Sequence, residues 1–261
     1  MMNHYMLNDD LKFLAKSEIR LKILSELQKN PKSVKELVNT TKITYSSISS
    51  NLSKLEKHKH ITKKKNRFYL NPLSEIYFNN LMEFKKTIDL INNYTDFWDK
   101  HNIDQISIDS MRNINDLKDS ILVKTTPIDI YKTHNENRKR IMESHNLKAI
   151  FPYLHPEYPL LIENILRNDG YVELIISKEM FKKTVLEIDD KIRKEAARKG
   201  KLKVYTTKND LKIYLTICDE SMSLGLFKND DSFDQNRILI SNNEKSKDWA
   251  NNLFKTMKEK V

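Results

Sequence analysis

Glycine is nearly missing from this chain. Its 261 residues contain three, Gly170, Gly200 and Gly225. Backbone loops that cradle phosphate need several glycines at fixed spacing, and neither GxGxxG nor GxxxxGKS/T is present. Nucleotide-dependent kinases, ATPases and Rossmann methyltransferases are thereby excluded. Cysteine occurs once, as Cys218 within KIYLTICDESMSLGLF, so no intramolecular disulfide exists and the thiol reads as a small buried hydrophobe. No run of about 20 apolar residues is present, which excludes a membrane-spanning helix. The opening MMNHYMLNDDLKFLAK lacks the apolar core of a signal peptide, so the expectation is a cytosolic protein. HExxH is absent and there is no cysteine cluster for zinc. His134-Asn135-Glu136 lacks further ligands in sequence. No metal, no cofactor and no enzymatic activity are expected.

What the chain does have is charge. Charged residues make up 31% and hydrophobic residues 39%, compatible with a core-forming globular protein, and the formal net charge is +10. The excess is localised. Residues 1–72 carry 15 Lys and Arg against 6 Asp and Glu, whereas residues 73–261 carry 31 against 30. A surplus of nine confined to one segment favours a local polyanion footprint. A membrane-surface helix would instead set its cations opposite Trp or Phe.

That segment contains SVKELVNTTKITYSSISSNLSKLEKHKHITKKKNRFYL, residues 33–70. A short helix is expected from Ser33 to about Asn39, with Val34, Leu37 and Val38 apolar. A turn leads to a second helix from about Thr44, in which Ile48, Leu52 and Leu55 form one buried stripe. Ser46, Ser49, Ser50 and Ser53 fall on or near the opposite face, flanked by Asn51 and Lys54. Serine is a mediocre helix former, so five serines between Ser46 and Ser53 need another reason. Small polar residues let a helix backbone approach bases in the major groove. Ile61–Leu70 then reads as a β-hairpin carrying Lys63, Lys64, Lys65 and Arg67, with Asn66 at the tip because Asn tolerates positive φ. The expected partner is double-stranded DNA. Its contacts would be Thr44, Ser46, Ser47, Ser50, Asn51 and Lys54 on the helix, and the four cations on the hairpin. The stretch resembles the ArsR/MarR-like winged helix, with ITYSSISSNLSKLE in the recognition-helix position. Lys59 and His60 stand where such families usually carry Gly and a large apolar residue, which predicts a looser turn.

Before this stretch, Asp9–Leu27 reads as the first helix, with Ser17 as the place where it would break. Leu11, Leu14, Ile19, Ile23, Leu24 and Leu27 share its buried face. After it, Pro72 opens a long helix from Leu73 to about Lys100. Tyr77, Leu81, Phe84, Ile88, Ile91 and Trp98 make a heptad-like seam, and the expectation is a homodimer built on it, the alternative being a helix buried on its own C-terminal domain. Strands and helices then alternate. Strands are expected at Leu147–Tyr153, Tyr171–Ser177, Lys201–Thr206, Lys212–Cys218, Ser221–Phe227 and Asn236–Ile240. Helices are expected at Thr133–Asn146, Pro156–Arg167 (with Gly170 as its C-cap), Lys178–Lys199 and Asn243–Glu259. The fold class is therefore α+β or α/β: a winged helix-turn-helix over 8–71, a linker and dimerisation helix over 72–101, and an α/β layered regulatory domain over 102–261.

The run from Thr216 to Lys260 adds a more specific resemblance. Asp219, Ser223, Leu224, Gly225, Leu226, Phe227, Asp234, Leu239, Ser241, Trp249, Leu253 and Phe254 resemble the C-terminal signature of archaeal winged-helix regulators related to the methanogenesis regulatory protein. Asp231 and Ala250 stand where that family often has Gly. The resemblance implies transcriptional regulation, with the α/β domain serving dimerisation or sensing. More remotely, the strand–helix order resembles the phospholipase-D-like effector domain of archaeal sugar-responsive regulators. That chemistry needs H-x-K, and none of the seven histidines is followed two positions on by Lys.

The segment from Phe151 to Pro159 reads first as a rigid loop with packed aromatics; if the chain holds a pocket for an effector of unknown identity, Tyr153, His155 and Tyr158 are its candidate residues. There a proline-stiffened segment joins a strand end to a helix start. Arg138 and Arg140 read as a solvated helix face, with an anion contact as the alternative. The competing reading is a small-molecule transferase that uses its winged helix only to dimerise; an RNA-binding factor is a weaker third.

Overall fold

The structure is a computed structural model and describes residues 8–261. Residues 1–7, part of the stretch in which no leader was read, lie outside the described residues. The chain divides into two compact units, one up to Lys86 and one from Thr87 onward. Among the described residues no helix is long and apolar enough to cross a membrane.

The first unit is a packed set of amphipathic helices closed by a hairpin. Helices α1 (Asp9–Ala15) and α2 (Glu18–Lys29) are separate because Ser17 ends one and caps the other, its hydroxyl accepting from the Arg20 N–H. Leu11 stays exposed, not on the shared buried face. Helix α3 (Val34–Thr41) starts with a full capping box, Ser33 and Glu36 satisfying each other's backbone N–H. It ends on Lys42, which is left-handed at φ 59°. Helix α4 (Tyr45–Lys57) buries Ile48, Leu52 and Leu55 against Ile23, Leu24, Leu27 and Leu37. Each such side chain contributes roughly 1.5–3 kcal/mol of burial.

The turn after α4 is tight, contrary to the looser one expected. The His60 N–H reaches Leu55 O at 2.9 Å and the Lys59 N–H reaches Glu56 O at 2.9 Å. This is a Schellman closure with Lys59 in the left-handed glycine position at φ 60°. His60 fills the apolar position and is 2% exposed. Strands β1 (Ile61–Lys64) and β2 (Arg67–Leu70) pair antiparallel, from Ile61 with Leu70 to Lys64 with Arg67. The positive φ at the tip belongs to Lys65, at 52°, and not to Asn66.

Helix α5 (Pro72–Asn93) is shorter than expected. Of its seam, Tyr77, Phe84, Ile88 and Ile91 are exposed, while Trp98 lies beyond it on the short helix α6 (Thr95–Trp98) and is buried.

In the second unit, α7 (Ile108–Arg112) and a short turn lead to strand β3 (Ile121–Lys124), an element whose sequence signal was weak. Then come α8 (Lys132–Met142), β4 (Asn146–Phe151), α9 (Tyr158–Arg167) and β5 (Tyr171–Ser177). They are followed by α10 (Lys178–Met180), α11 (Asp190–Arg198), β6 (Leu202–Thr207), β7 (Ile213–Ile217), β8 (Met222–Leu226), β9 (Arg237–Ser241) and α12 (Glu244–Lys258). Among the described residues these strands form one seven-stranded sheet in the order β3-β9-β8-β7-β4-β5-β6. Strands β4, β5 and β6 run parallel and the other neighbours antiparallel.

Both faces of the sheet are covered, which explains the continuous burial along β5, β7 and β8, the polar Glu173, Thr216 and Ser223 included. One core gathers Phe97, Leu117, Leu215, Leu224, Trp249 and Leu253; the other gathers Phe151, Ile162, Ile165, Leu174, Ile176 and Tyr214. The helix expected over Lys178–Lys199 is interrupted. A wide turn at Phe181–Val185 follows α10, and Asp189 caps α11. Buried Ile188 and the bond from the Asp189 N–H to Glu163 pull that joint onto the core. Gly170 is not the left-handed cap of α9: Asp169 takes that conformation, at φ 62°. Gly170 is needed because a Cβ there would sit 2.1 Å from the His145 carbonyl oxygen. Asp231, at φ 65°, holds its turn without glycine, and Ala250 is fully buried.

Candidate nucleic-acid interface and candidate ligand pocket

The first unit presents two polar surfaces of opposite construction. On α4, Ser46, Ser49, Ser50 and Ser53 are exposed opposite the buried stripe, with Lys54 and Lys57 beside them. Thr44 is exposed at the start of this helix, its Oγ1 3.4 Å from Ser46 Oγ, and Ser47 is half-buried. Asn51, like Ser47, is half-buried. Its amide donates to Ser47 O at 2.9 Å, so it is tied to its own helix. Tyr45, 64% exposed at the first position of α4, was missed because a single aromatic at a helix start has no period to betray it.

On the hairpin, Lys63, Lys64 and Lys65 are exposed, with Lys63 Nζ 5.5 Å from the Phe68 ring centre and Lys64 Nζ 5.7 Å from that of Tyr69. Arg67 differs from them. Its guanidinium donates to Pro31 O at 2.7 Å and to Glu36 Oε1 at 2.8 Å, fastening the hairpin to α3. Its side chain is exposed, but its guanidinium is engaged by the fold and not free as expected. The Ser33 backbone and hydroxyl, with Arg67, hold the Glu36 carboxyl below its ordinary range.

The second unit contains a pocket of about 680 Å³. One wall is α8, whose His134, Asn137, Arg138 and Ile141 recur at helical spacing. The opposite wall is the segment from the end of β4 into α9, and the floor is β7. Tyr153, His155 and Tyr158 all line it. Tyr158 is 3% exposed and stacks on Phe151 at 3.9 Å, so it belongs to the floor. Tyr153 packs on Phe233 at 4.4 Å. Asn137 donates to the Tyr214 hydroxyl and accepts from Thr216 Oγ1 at 3.1 Å. Burial pushes the Tyr153 phenol up, and the Tyr158 and Tyr214 phenols well up, so all three remain hydrogen-bond donors at neutral pH.

Charge gathers at one end of this pocket. Glu157 Oε2 meets His134 Nε2 at 2.8 Å, and Glu157 Oε1 meets Arg138 Nε at 3.1 Å. Burial acts upward on Glu157, but these bonds outweigh it and hold the carboxyl below its ordinary value. His155 stacks on His134 at 4.3 Å, and burial pushes its imidazole down. Arg138 thus lines the pocket and is not part of a solvated face. Arg140 pairs with Glu136 at 2.6 Å instead. Below, Asp234 accepts from His101 Nε2 at 2.9 Å and from Arg237 Nη1 at 2.8 Å. Burial would raise this carboxyl; the bonds from His101, Arg237 and the Asn236 N–H keep it well below the usual range. Sequence reasoning missed His134, Asn137, Tyr214, Phe233 and Arg237 as pocket residues. The i, i+3, i+4 spacing on α8 was a usable signal. Asn137 and Tyr214, by contrast, lie 77 residues apart, and His101 and Asp234 lie 133 apart, so no local pattern announces either pair.

Comparison with known proteins agrees with this two-part organisation. A family model for the middle domain of methanogenesis regulatory protein FilR1 matches residues 130–260, and one for its N-terminal domain matches residues 8–91. The methanogenesis regulatory protein FilR1 of Methanothrix harundinacea (strain 6Ac) is 24% identical over 248 residues. The match covers 94% of this chain and 55% of that protein, so the chain spans about half the length of the curated relative. Among solved structures, the archaeal chromatin protein TrmBL2, described as showing a novel mode of DNA binding, aligns over 96% of this chain and 97% of its own, at 12% identity and a TM-score of 0.42. An IclR transcriptional regulator from Alicyclobacillus acidocaldarius aligns over 97% and 98%, at 11% identity and 0.26. The methyltransferase SibL aligns over 76% and 62%, at 10% identity and 0.27. Structural likeness this slight carries no argument about function. The sequence match does: its middle-domain part alone takes in half of the residues, and the chain belongs to the methanogenesis regulatory protein FilR1 family.

Proposed function

We propose that this chain is a DNA-binding transcriptional regulator that acts as a homodimer and holds a small-molecule effector in its second unit. One observation carries the reading. Helix α4 shows solvent a face of small hydroxyls, and the hairpin that follows it shows three exposed lysines, all within the segment that holds the net positive charge. A helix can enter the major groove closely when its outward face is small, while lysines on a hairpin hold phosphates. Ser46, Ser50, Ser53 and Lys54 are the base-facing set. Thr44, Ser47 and Asn51 contribute at its edge, Asn51 after releasing its bond to Ser47.

The finer organisation is a winged helix over 8–71, a dimerisation helix within 72–101 and a regulatory domain over 102–261. The exposed stripe of Tyr77, Phe84, Ile88 and Ile91 on α5 supports dimerisation, since a DNA reader of this kind pairs with two half-sites. The pocket's aromatic walls and its Tyr, His and Arg donors suit an organic effector with an apolar body and a polar or anionic end. Helices on both faces of a mixed sheet, without H-x-K, fit a phospholipase-D-like layout that has no hydrolytic centre. The cytoplasm is the compartment that holds the DNA such a regulator reads.

Chromatin precipitation followed by gel-shift titration tests the proposal. The expected result is one recurring two-fold symmetric sequence bound more tightly than random duplex. Equal affinity for all duplexes would overturn it.

A further inference from the structure

His60 is where the first unit departs from an apolar core. It is 2% exposed, and its Nδ1 lies 3.0 Å from the hydroxyl of Ser74, itself 3% exposed. The other ring nitrogen, Nε2, is fully enclosed and has no hydrogen-bond partner among the described residues. It faces Asp10 Oδ1 at 3.8 Å, and His58 Nδ1 lies 3.8 Å from that same oxygen. One ligand atom from each of the three residues lies within 4.8 Å of the others. These separations are too long for hydrogen bonds. They suit atoms that share an ion: with metal–ligand distances near about 2.1 Å, a 3.8 Å pair subtends about 130° at the metal, a little wider than tetrahedral.

We propose that Asp10, His58 and His60 bind one divalent transition-metal ion of the zinc class, which clips α1 to the turn at the end of α4. The bond between His60 Nδ1 and Ser74 leaves Nε2 as the metal-facing nitrogen, in the way an outer hydrogen bond orients a ligating histidine. Burial pushes the His60 imidazole below its ordinary value, toward the neutral form that a metal requires. The Phe13 ring lies 3.9 Å from that of His58 and 5.6 Å from that of His60, and the two imidazoles are parallel within 3°. Arg20, 3.9 Å over the Phe13 ring, opposes an added cation; the Asp10 carboxylate offsets it. Two imidazoles and one carboxylate select zinc, cobalt or nickel over magnesium and calcium, which prefer all-oxygen sets. A fourth position is open on the His58 side, where that residue is 39% exposed.

The cluster of His134, His155 and Glu157 is the rival. There His134 and Glu157 already bond each other at 2.8 Å and Arg138 shares the carboxylate, so the donor atoms are occupied. The proposal does not depend on the DNA-binding reading.

The test uses the full chain without an affinity tag, stripped by a chelator and dialysed. Zinc chloride is titrated by calorimetry and cobalt chloride by visible absorption. One saturable equivalent, with the intense visible bands of low-coordinate cobalt, is expected, together with a zinc-dependent rise in melting temperature. Asp10→Asn and His58→Ala, both at solvent-reaching side chains, should weaken zinc binding by at least about 100-fold, and Ser74→Ala by about 10–100-fold. His134→Ala should leave binding unchanged. No saturable binding, which would mean a bridging water at most, overturns the proposal. So does binding that survives both Asp10→Asn and His58→Ala, or that disappears with His134→Ala.

Discussion

Replacing Lys64 and Lys65 by Ala should flatten the salt dependence of DNA binding without altering which sequence is preferred. Both side chains are exposed on the hairpin, and neither forms an ion pair with the described residues. Each lost phosphate contact removes about 0.9 from the slope of log affinity against log salt. Two contacts on one hairpin give a change of about 1.8, and a dimer engaging both hairpins gives about 3.6. Between about 50 and 200 mM salt, the unmodified protein should therefore lose about 12-fold more affinity than the variant, or about 150-fold more if two hairpins engage. Fluorescence anisotropy on specific and random duplexes at several salt concentrations measures this, and the size of the change counts the hairpins. Arg67→Ala is the control. Its guanidinium is held by Pro31 and Glu36, so its loss should lower the melting temperature and leave the slope nearly unchanged. An unchanged slope in the double lysine variant, or loss of sequence preference with affinity kept, would refute the assignment of the hairpin to phosphates.

Further outcomes concern the helix, the seam and the buried histidine. Ser50→Leu should weaken specific binding through bulk on the exposed face of α4, read by the same anisotropy titration. Asn51→Ala should cost at most about 1–3 kcal/mol on the preferred duplex, and less if its bond to Ser47 persists in the complex, as gel-shift titration will tell. Phe84→Asp with Ile88→Asp should convert a dimer to a monomer by light scattering, because both side chains lie exposed on α5. In metal-free protein the depressed His60 value makes its contribution to stability complete above the ordinary imidazole value of 6.5. Stability should fall as pH drops from there through the depressed folded value, which thermal melts across that range would register.

Much of this architecture is written in local pattern. The Ser33–Glu36 box and the Ile48, Leu52, Leu55 stripe mark their helices because capping and burial act over one or two turns. The apolar runs of β5 and β7 mark covered strands for the same reason. What escaped depends on contacts distant in sequence. Strand β3 exists because β9 pairs with it, Ile121 opposite Ile240, and its own short run says little. Arg67 looked like a free cation until Pro31 and Glu36 were found beside it. In the pocket, Tyr153, His155 and Tyr158 were legible as a stiff aromatic segment, but the wall opposite them comes from α8, and Tyr158 is part of the floor. The break after α10 also went unseen, since its cause is the seating of Ile188 in a core that charged neighbours conceal.

The scarcity of glycine has an engineering consequence. Lys42, Lys59, Asp169 and Asp231 occupy left-handed backbone positions, between φ 59° and φ 65°. A side-chain-bearing residue pays roughly 1–2 kcal/mol there, against about 0.5–1 kcal/mol of extra chain entropy for glycine. At Lys42 and Lys59 an exchange to glycine should therefore be neutral or gain up to about 1.5 kcal/mol, whereas at Asp169 and Asp231 it also removes an ion pair, with Lys201 and with Lys212, and gains less. The four sites lie in separate turns, so their gains should nearly add. A hardened version of this protein for crystallisation or effector screening is thus within reach of four substitutions, none of them on the exposed face of α4 or in the pocket.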